Sequence, residues 1–308
     1  MPMSNFPGGF AAGVSIRGVP VTVTNPGEVF WVDSVRGSDG NRGTFDRPFG
    51  SIDYAIGRCT AGRGDIIFVK PGHTETVSAA GGITCDVSGV AIIGLGRGSL
   101  RPTITFTTSA AATILVSAAA VTLHNLRIVA NFADIVRMIN ITSNGFYADS
   151  LEFTAAAVNM NWIDVFDASS TTDNNADGLT IINCTAYDID AANDSFLEIN
   201  ADLNRLRVED NYCVHANAAA QAFIECATGK DITNAIIKGN AYQSALTAVD
   251  VLIDNDTTAN SGFVIGNYGS HLDTAAEVLV DADGVGMFDN KGSGVITASG
   301  YLLPAADS

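Results

Sequence analysis

Positive charge is what this sequence has least of: no Lys or Arg occurs between Arg137 and Arg205. Residues 1–140 carry 11 Lys+Arg against 9 Asp+Glu, a balance of +2, and residues 141–308 carry 5 against 24, or −19; the two sum to the net −17. Such a body repels nucleic acid, and it repels polyanionic sugars such as pectate as well. No apolar run approaches the ~18 residues that a membrane-spanning helix needs, so no membrane partner is expected. The five cysteines (Cys59, Cys85, Cys184, Cys213, Cys226) are odd in number and form no CxxC pair. That argues against a disulfide scaffold or a zinc site and for small buried apolar residues. The four histidines show no metal spacing, and DNDT (254–257) and DADG (281–284) are Ca²⁺-like fragments without the rest of an EF-hand loop. Both read as turns. No cofactor or metal is expected, although a structural Ca²⁺ stays open.

What is present points to strands. Charged residues make up 16% and hydrophobic residues 47%, too poor in Lys and Glu for a helical bundle and too apolar for disorder. Asn, Thr, Ala, Val, Ile and Gly dominate, as in strands joined by tight turns. One short pattern then recurs: an apolar residue or Thr, two variable positions, and Asn. It ends at Asn125, Asn183, Asn211, Asn240, Asn267 and Asn290, with Asp149 filling the gap, at spacings of 24, 34, 28, 29, 27 and 23. The spacing of 34 leaves room for a loop insertion at ASSTTDNNAD.

A second series interleaves with the first. WIDVF, FLEIN, FIECA, AVDVL and AAEVL place Asp164, Glu198, Glu225, Asp250 and Glu277 between apolar neighbours, 34, 27, 25 and 27 residues apart. Period-2 alternation sends the apolar neighbours to one face and each acid to the other. Short strands recurring every ~25 residues without helices cannot be βαβ units, whose crossovers take a dozen residues or more. They fit the coils of a parallel β-helix, in which like residues stack in columns. Asn suits one corner because it tolerates a left-handed backbone and because stacked amides hydrogen-bond along the ladder. The expected fold is therefore all-β, a right-handed parallel β-helix of about 7–9 coils.

Four segments are expected: an extended docking arm at 1–30, an entry strand, loop and capping helix at 31–64, the β-helix at 65–300 and a tail at 301–308. The arm, carrying Phe6, Phe10 and Arg17, reads as a segment that docks elsewhere. Its opening, MPMSNFPGGFAAGV, has neither a basic leader nor a continuous apolar stretch, so no Sec signal is expected. Ser51 is the expected N-cap of a short helix with Ile52, Ala55 and Ile56 on one face. That helix would plug the open end of the coil, whose exposed strand edges would otherwise template aggregation. Leu302 and Leu303 would cover the other end.

The entry segment also carries a resemblance. VDSVRGSDGNRGTFDRPFGSIDYAIGRCTAGRGDIIFVKPGHTETV resembles the start of right-handed parallel β-helix proteins of the pectin-lyase-like superfamily. Those read as a strand, G-S-D-x-N-x-G-T, a Pro-Phe-x-(S/T)-Ile helix, and then G-D-x-I-x-V-x-P-G. The match is close over about 45 residues, and the remaining coils match as a pattern only. The superfamily holds polysaccharide lyases, glycosidases, phage tailspikes and non-enzymatic virion proteins, so the fold alone leaves function open. NNADGLTI is similar to the N-x-D-G-I signature of polygalacturonase-type glycosidases, with Asp177 in the acid's place. The paired Asp-Asp, the Gly-His-Gly and the Arg-x-Lys of those enzymes are missing, and Asp-Gly before a strand is an ordinary turn. Lyases of this fold use a basic residue beside Ca²⁺-binding carboxylates, and the acidic body offers few, which disfavours that chemistry.

Three readings of the acidic column stand: a solvated outer face, a cation-bridged or subunit-contact face, and a glycan-cleaving groove. For the last, Glu198 and Glu225 one coil apart would sit ~4.8 Å from each other, near the separation of a retaining glycosidase. Aromatic sugar platforms are few there: Trp162, Tyr187, Tyr212, Tyr242 and Tyr268. The whole pattern is similar to β-helix proteins of tailed-phage virions: capsid decorations, head fibres or spikes, commonly homotrimers. What the resemblance implies is a non-enzymatic virion protein with no catalytic residue, its arm bound to a capsid or tail protein. The alternatives are an extracellular or tailspike-like glycan hydrolase using Asp177, Glu198 and Glu225, or an adhesin for surface glycans.

Overall fold

The computed structural model describes residues 15–16, 19–20, 27–169, 172–188, 195–215, 221–244, 250–255, 259–270, 280–282, 284–293 and 300–301. Over them the chain winds as a right-handed parallel β-helix, the hand that parallel crossovers adopt. Three sheets run its length. The first has ten strands, from Val29–Val32 to Gly286–Phe288; the second begins at Thr74–Val77 and reaches Lys291–Ser293; the third has eight, from Ile83–Cys85 to Val280–Ala282. Eight successive coils contribute one strand to each sheet, within the expected range.

Alternation within each strand builds the core. In Ile66–Val69 and Thr103–Phe106 every second residue is buried, and the next faces out. Large apolar side chains stack inside from turn to turn. Phe153, Phe166, Phe196 and Phe223 form a chain of ring contacts at 5.2, 5.3 and 4.8 Å. One polar pair is buried among them: Trp162 donates its indole N–H to His215 at 3.2 Å, and neither side chain is exposed.

First and second sheets meet at a corner of two residues, and the two obey different rules. The first position is left-handed at Asn125, Ser150, Asn183, Asp210, Gly239, Gly266 and Asp289, with φ between 53° and 67°. Only Gly, and Asn or Asp after it, takes this conformation at low cost, and these residues hold most of the file. The second position is interior. From Asn211 onward it is always Asn; the Asn211 Oδ1 accepts the Cys184 N–H, and each later Oδ1 accepts both the backbone N–H and the amide N–H of the Asn one turn before. The amide bonds are 2.9 Å for Asn211 to Asn240, Asn240 to Asn267, and Asn267 to Asn290. The expected ladder therefore holds for Asn211, Asn240, Asn267 and Asn290. Asn125 and Asn183 belong one residue earlier, in the left-handed file, because a window of apolar-x-x-Asn cannot separate adjacent positions that both favour Asn.

The entry segment carries the expected strand and helix, with one correction at the helix's cap. A strand, Val29–Val32, precedes Ile66–Val69 and pairs with it in parallel, so GDIIFV forms the second rung of the first sheet. Asp65 of that motif is fully buried, and its carboxylate takes the backbone N–H groups of Glu28 and Thr60, both at 2.7 Å, and the Arg63 guanidinium at 2.7 and 2.8 Å. Burial alone would raise its pKa; the Arg63 pair and the two amides override this and lower it. The helix spans Ile52–Ile56 and buries Ile52, Ala55 and Ile56 against the end of the coil. Ser51 makes no capping bond; its hydroxyl turns to Asp39 at 3.3 Å, and the Ile52 N–H is taken by Glu75 from the second sheet's outermost strand at 2.9 Å. Asp53 in turn accepts the Thr84 N–H at 2.9 Å, sealing the edge of the third sheet.

This cross-chain cap is testable. Glu75→Ala should lower unfolding stability by about 1–2 kcal/mol, the cost of losing a helix cap and the 3.2 Å contact with the buried His73 ring, while Ser51→Ala should change it by less than about 0.5 kcal/mol. Urea titration of both variants measures the difference, and equal effects would return the cap to Ser51.

At the far end, Gly300–Tyr301 adds to the second sheet in antiparallel sense and covers its edge. Phe6, Phe10 and Arg17 of the arm, and Leu302 and Leu303, lie outside the described residues. Cys85, Cys184, Cys213 and Cys226 are buried and Cys59 is half-buried, each a thiol outside any disulfide. Burial pushes the thiols of Cys59, Cys85 and Cys184 up to about 12, which leaves them protonated and inert.

Candidate functional site

The acidic column exists, on the outer face of the third sheet, but in a different register from the expected one. Pairing aligns Asp167 with Glu198, Glu198 with Glu225, Glu225 with Asp254, and Asp254 with Asp281. Glu198 and Glu225 are thus members, and neighbours. Asp164 pairs with Arg137, three residues before the column, and its buried carboxylate accepts the Ser195 N–H at 3.3 Å. Asp250 pairs with Gln221, four residues short. Glu277 lies outside the described residues. The sequence held a signal for the true register: VFDAS places Asp167 between apolar Phe166 and Ala168, as WIDVF does Asp164, and the strand Trp162–Ala168 is long enough to carry both.

The column starts in a desolvated pair. Asp167 is 2% exposed, and its carboxylate meets Arg137 at 2.8 Å and the Asn200 amide at 3.3 Å. Burial raises its pKa, and Arg137 offsets part of that rise. One rung earlier Asn140 replaces the acid and accepts the Ser169 hydroxyl at 2.5 Å. Further along, the Ser195 hydroxyl donates to Glu225 at 3.3 Å. Glu198 and Glu225 therefore stand one rung apart, ~4.8 Å between backbones, a spacing that suits two carboxylates acting together on one small substrate group.

Asp177 does not join them. It sits in the turn between the third and first sheets, where its Oδ1 accepts the Asn204 N–H at 2.9 Å and its own N–H goes to Asn144 at 3.0 Å. It is a rung-to-rung tie in a turn. A parallel file beside it, not anticipated from the sequence, is made of aspartates. Asp173 accepts the Asp202 N–H and Asp202 the Asp231 N–H, each at 3.1 Å, and Lys230 closes on Asp173 at 2.7 Å. The Lys230 bond and the Asp202 amide hold the Asp173 carboxyl below its ordinary pKa. Among the described residues no group of three or more His, Cys, Asp or Glu is arranged to hold a metal ion.

The aromatic residues divide. Trp162 and Tyr242 are interior, whereas Tyr187, Tyr212 and Tyr268 are exposed on the second sheet, Tyr212 and Tyr268 in one file with Ala241 between them. The acidic column and the exposed tyrosines therefore occupy different sheets; Glu152, on the tyrosines' sheet, is held by Arg101 at 2.8 Å and Arg127 at 3.0 Å. Each outer face has its own chemistry: carboxylates on the third, threonine and tyrosine on much of the second, and aliphatic and aromatic side chains on much of the first.

No protein-family model matches the sequence, and no curated protein does. Among solved structures the chain is similar to a rhamnogalacturonan lyase at 14% sequence identity and a TM-score of 0.50, the match covering 80% of this chain and 69% of that one. At that identity the likeness establishes the parallel β-helix fold and nothing narrower.

Proposed function

We propose that the chain is a non-catalytic structural rod displayed on a tailed-phage particle as a capsid decoration, head fibre or spike, attached to a capsid or tail protein through its N-terminal arm. One observation carries the non-catalytic part: the carboxylate column and the exposed tyrosines lie on different faces. A glycan-cleaving groove needs both on one wall, so that a sugar held on an aromatic plane meets the acids. The acids are also employed in building the rod, Asp167 with Arg137, Asp164 and Asp177 with backbone amides. Support for the virion setting is the pattern of the whole chain, a near-neutral N-terminal part ahead of a strongly acidic solenoid.

The second reading is a glycan-acting enzyme outside the cell or on a tailspike, favoured by Glu198 and Glu225 on neighbouring rungs and by the neighbour's name. Incubation with capsular and pectic polysaccharides separates the two. The expected result is no release of reducing ends or unsaturated uronates, and no difference between the native chain and Glu198→Gln/Glu225→Gln. Turnover that the double variant abolishes would replace the structural proposal with the hydrolase. Mass spectrometry of purified phage particles encoding the chain should find it there; its absence would remove the virion setting.

A further inference from the structure

We propose that the outer face of the first sheet, at its C-terminal end, is the surface through which this chain packs against a second copy of itself. The inference stands whether the rod is structural or enzymatic. Strand pairing stacks Ile236 and Phe263 in one outward file, and Ile265 and Phe288 in the next, with Ile182 further down the second. Alternation points them away from the core, where Ile237 and Val264 are buried. Phe263 is 59% exposed and Phe288 73%. Two phenylalanines open to water on adjacent rungs form a contiguous apolar patch of the kind that marks an interaction site.

Charge selects the occupant. Residues 141–308 carry −19, and two copies meeting through the third sheet or its aspartate turn would stack carboxylate on carboxylate. On this stretch of the first sheet the one acid, Glu209, is paired with Arg207 at 2.8 Å, and Lys238 is the remaining charged residue of these two files. It is the side from which another equally acidic molecule can approach. Periodicity points the same way. A second solenoid has the same ~4.8 Å rise between rungs, so its side chains can interdigitate with these rung after rung, as the inner faces of two packed sheets do. At the opposite end the chain covers this same sheet itself: Phe45 packs edge-on to Trp31 at 4.9 Å, with the Lys70 ammonium 4.4 Å from the Phe45 ring.

Sedimentation velocity of the full chain across a concentration series tests the proposal, with Phe263→Asp/Phe288→Asp as the disrupting variant and Tyr212→Asp, exposed on the second sheet, as the control. The native chain and the control should sediment as the same oligomer, and the double variant as a monomer with unchanged circular dichroism, its self-association weakened about a hundredfold or more. If the aspartates unfold the rod, Phe263→Ser/Phe288→Ser takes their place. A native chain that stays monomeric at every concentration overturns the proposal, including the case in which it binds a different protein through these phenylalanines. So does an oligomer indifferent to both double variants.

Discussion

Replacing Asn240 with alanine is expected to lower the unfolding free energy by about 3–5 kcal/mol, an effect far beyond the removal of a few side-chain atoms. Asn240 is fully buried. Its Oδ1 accepts the backbone N–H of Asn211 at 3.0 Å and the Asn211 amide at 2.9 Å, while its Nδ2 donates to the Val208 carbonyl at 2.8 Å and to Asn267 at 2.9 Å. Alanine leaves the Asn211 N–H and the Val208 carbonyl without these partners in a dry interior. Each orphaned group costs about 1–3 kcal/mol. The matched control is Asn183→Gly, one position earlier on another turn: that residue is exposed with φ of 55°, and glycine accepts the conformation. Its loss is the 3.2 Å bond to Asp149, so the change should stay within about 1 kcal/mol. Urea unfolding of the two variants decides the matter; a small loss at Asn240 would mean that the amide file decorates a rod held by other forces.

The second large effect is expected at Arg137. Arg137→Leu removes the cation facing a buried aspartate, and breaking such a pair costs about 3–5 kcal/mol near neutral pH. The pH dependence has a definite sign. Burial sets the folded-state pKa of Asp167 above its unfolded value even with Arg137 present, and the variant raises it further. A raised carboxyl favours the folded state fully below the unfolded pKa and loses that contribution as pH rises through the folded one. The deficit of Arg137→Leu should thus be largest at neutral pH and shrink as the solution is made mildly acidic. Adding Asp167→Asn should recover much of it at neutral pH. Denaturant midpoints across that range are the measurement, and a deficit constant with pH would assign Arg137 to packing instead of charge.

These two sites mark how far the sequence could be read. The coil period and the parallel β-helix were visible because every turn repeats the same demand, apolar inward and a left-handed corner, so the signal is written many times. The helix face Ile52, Ala55 and Ile56 was visible for the same reason of periodicity. Position to the single residue was not. At the corner, Asn satisfies the backbone at Asn125 and Asn183 and the amide ladder at Asn211 and Asn240, and two neighbouring files merged into one. On the third sheet, Asp164 and Asp167 both sit among apolar residues, and only strand pairing says which stacks on Glu198. Glu75 capping a helix more than twenty residues earlier in the chain has no local signature at all. Neither does the pairing of Arg137 with Asp167.

The amide ladder begins only at Asn211, and on the turns beyond it Gly269 and Gly292 follow Tyr242 in one inward file. The early turns are held by stacked aliphatics such as Ile67, Ile92 and Leu123, whose cohesion fades in the cold and carries a large heat-capacity signature. The late turns add to apolar side chains such as Phe223 and Val264 the directional dipoles of the ladder, which do not fade in that way. One rod thus has two thermal characters along its axis: chilling loosens the end that carries the helix first, and the asparagine end grips most firmly when cold.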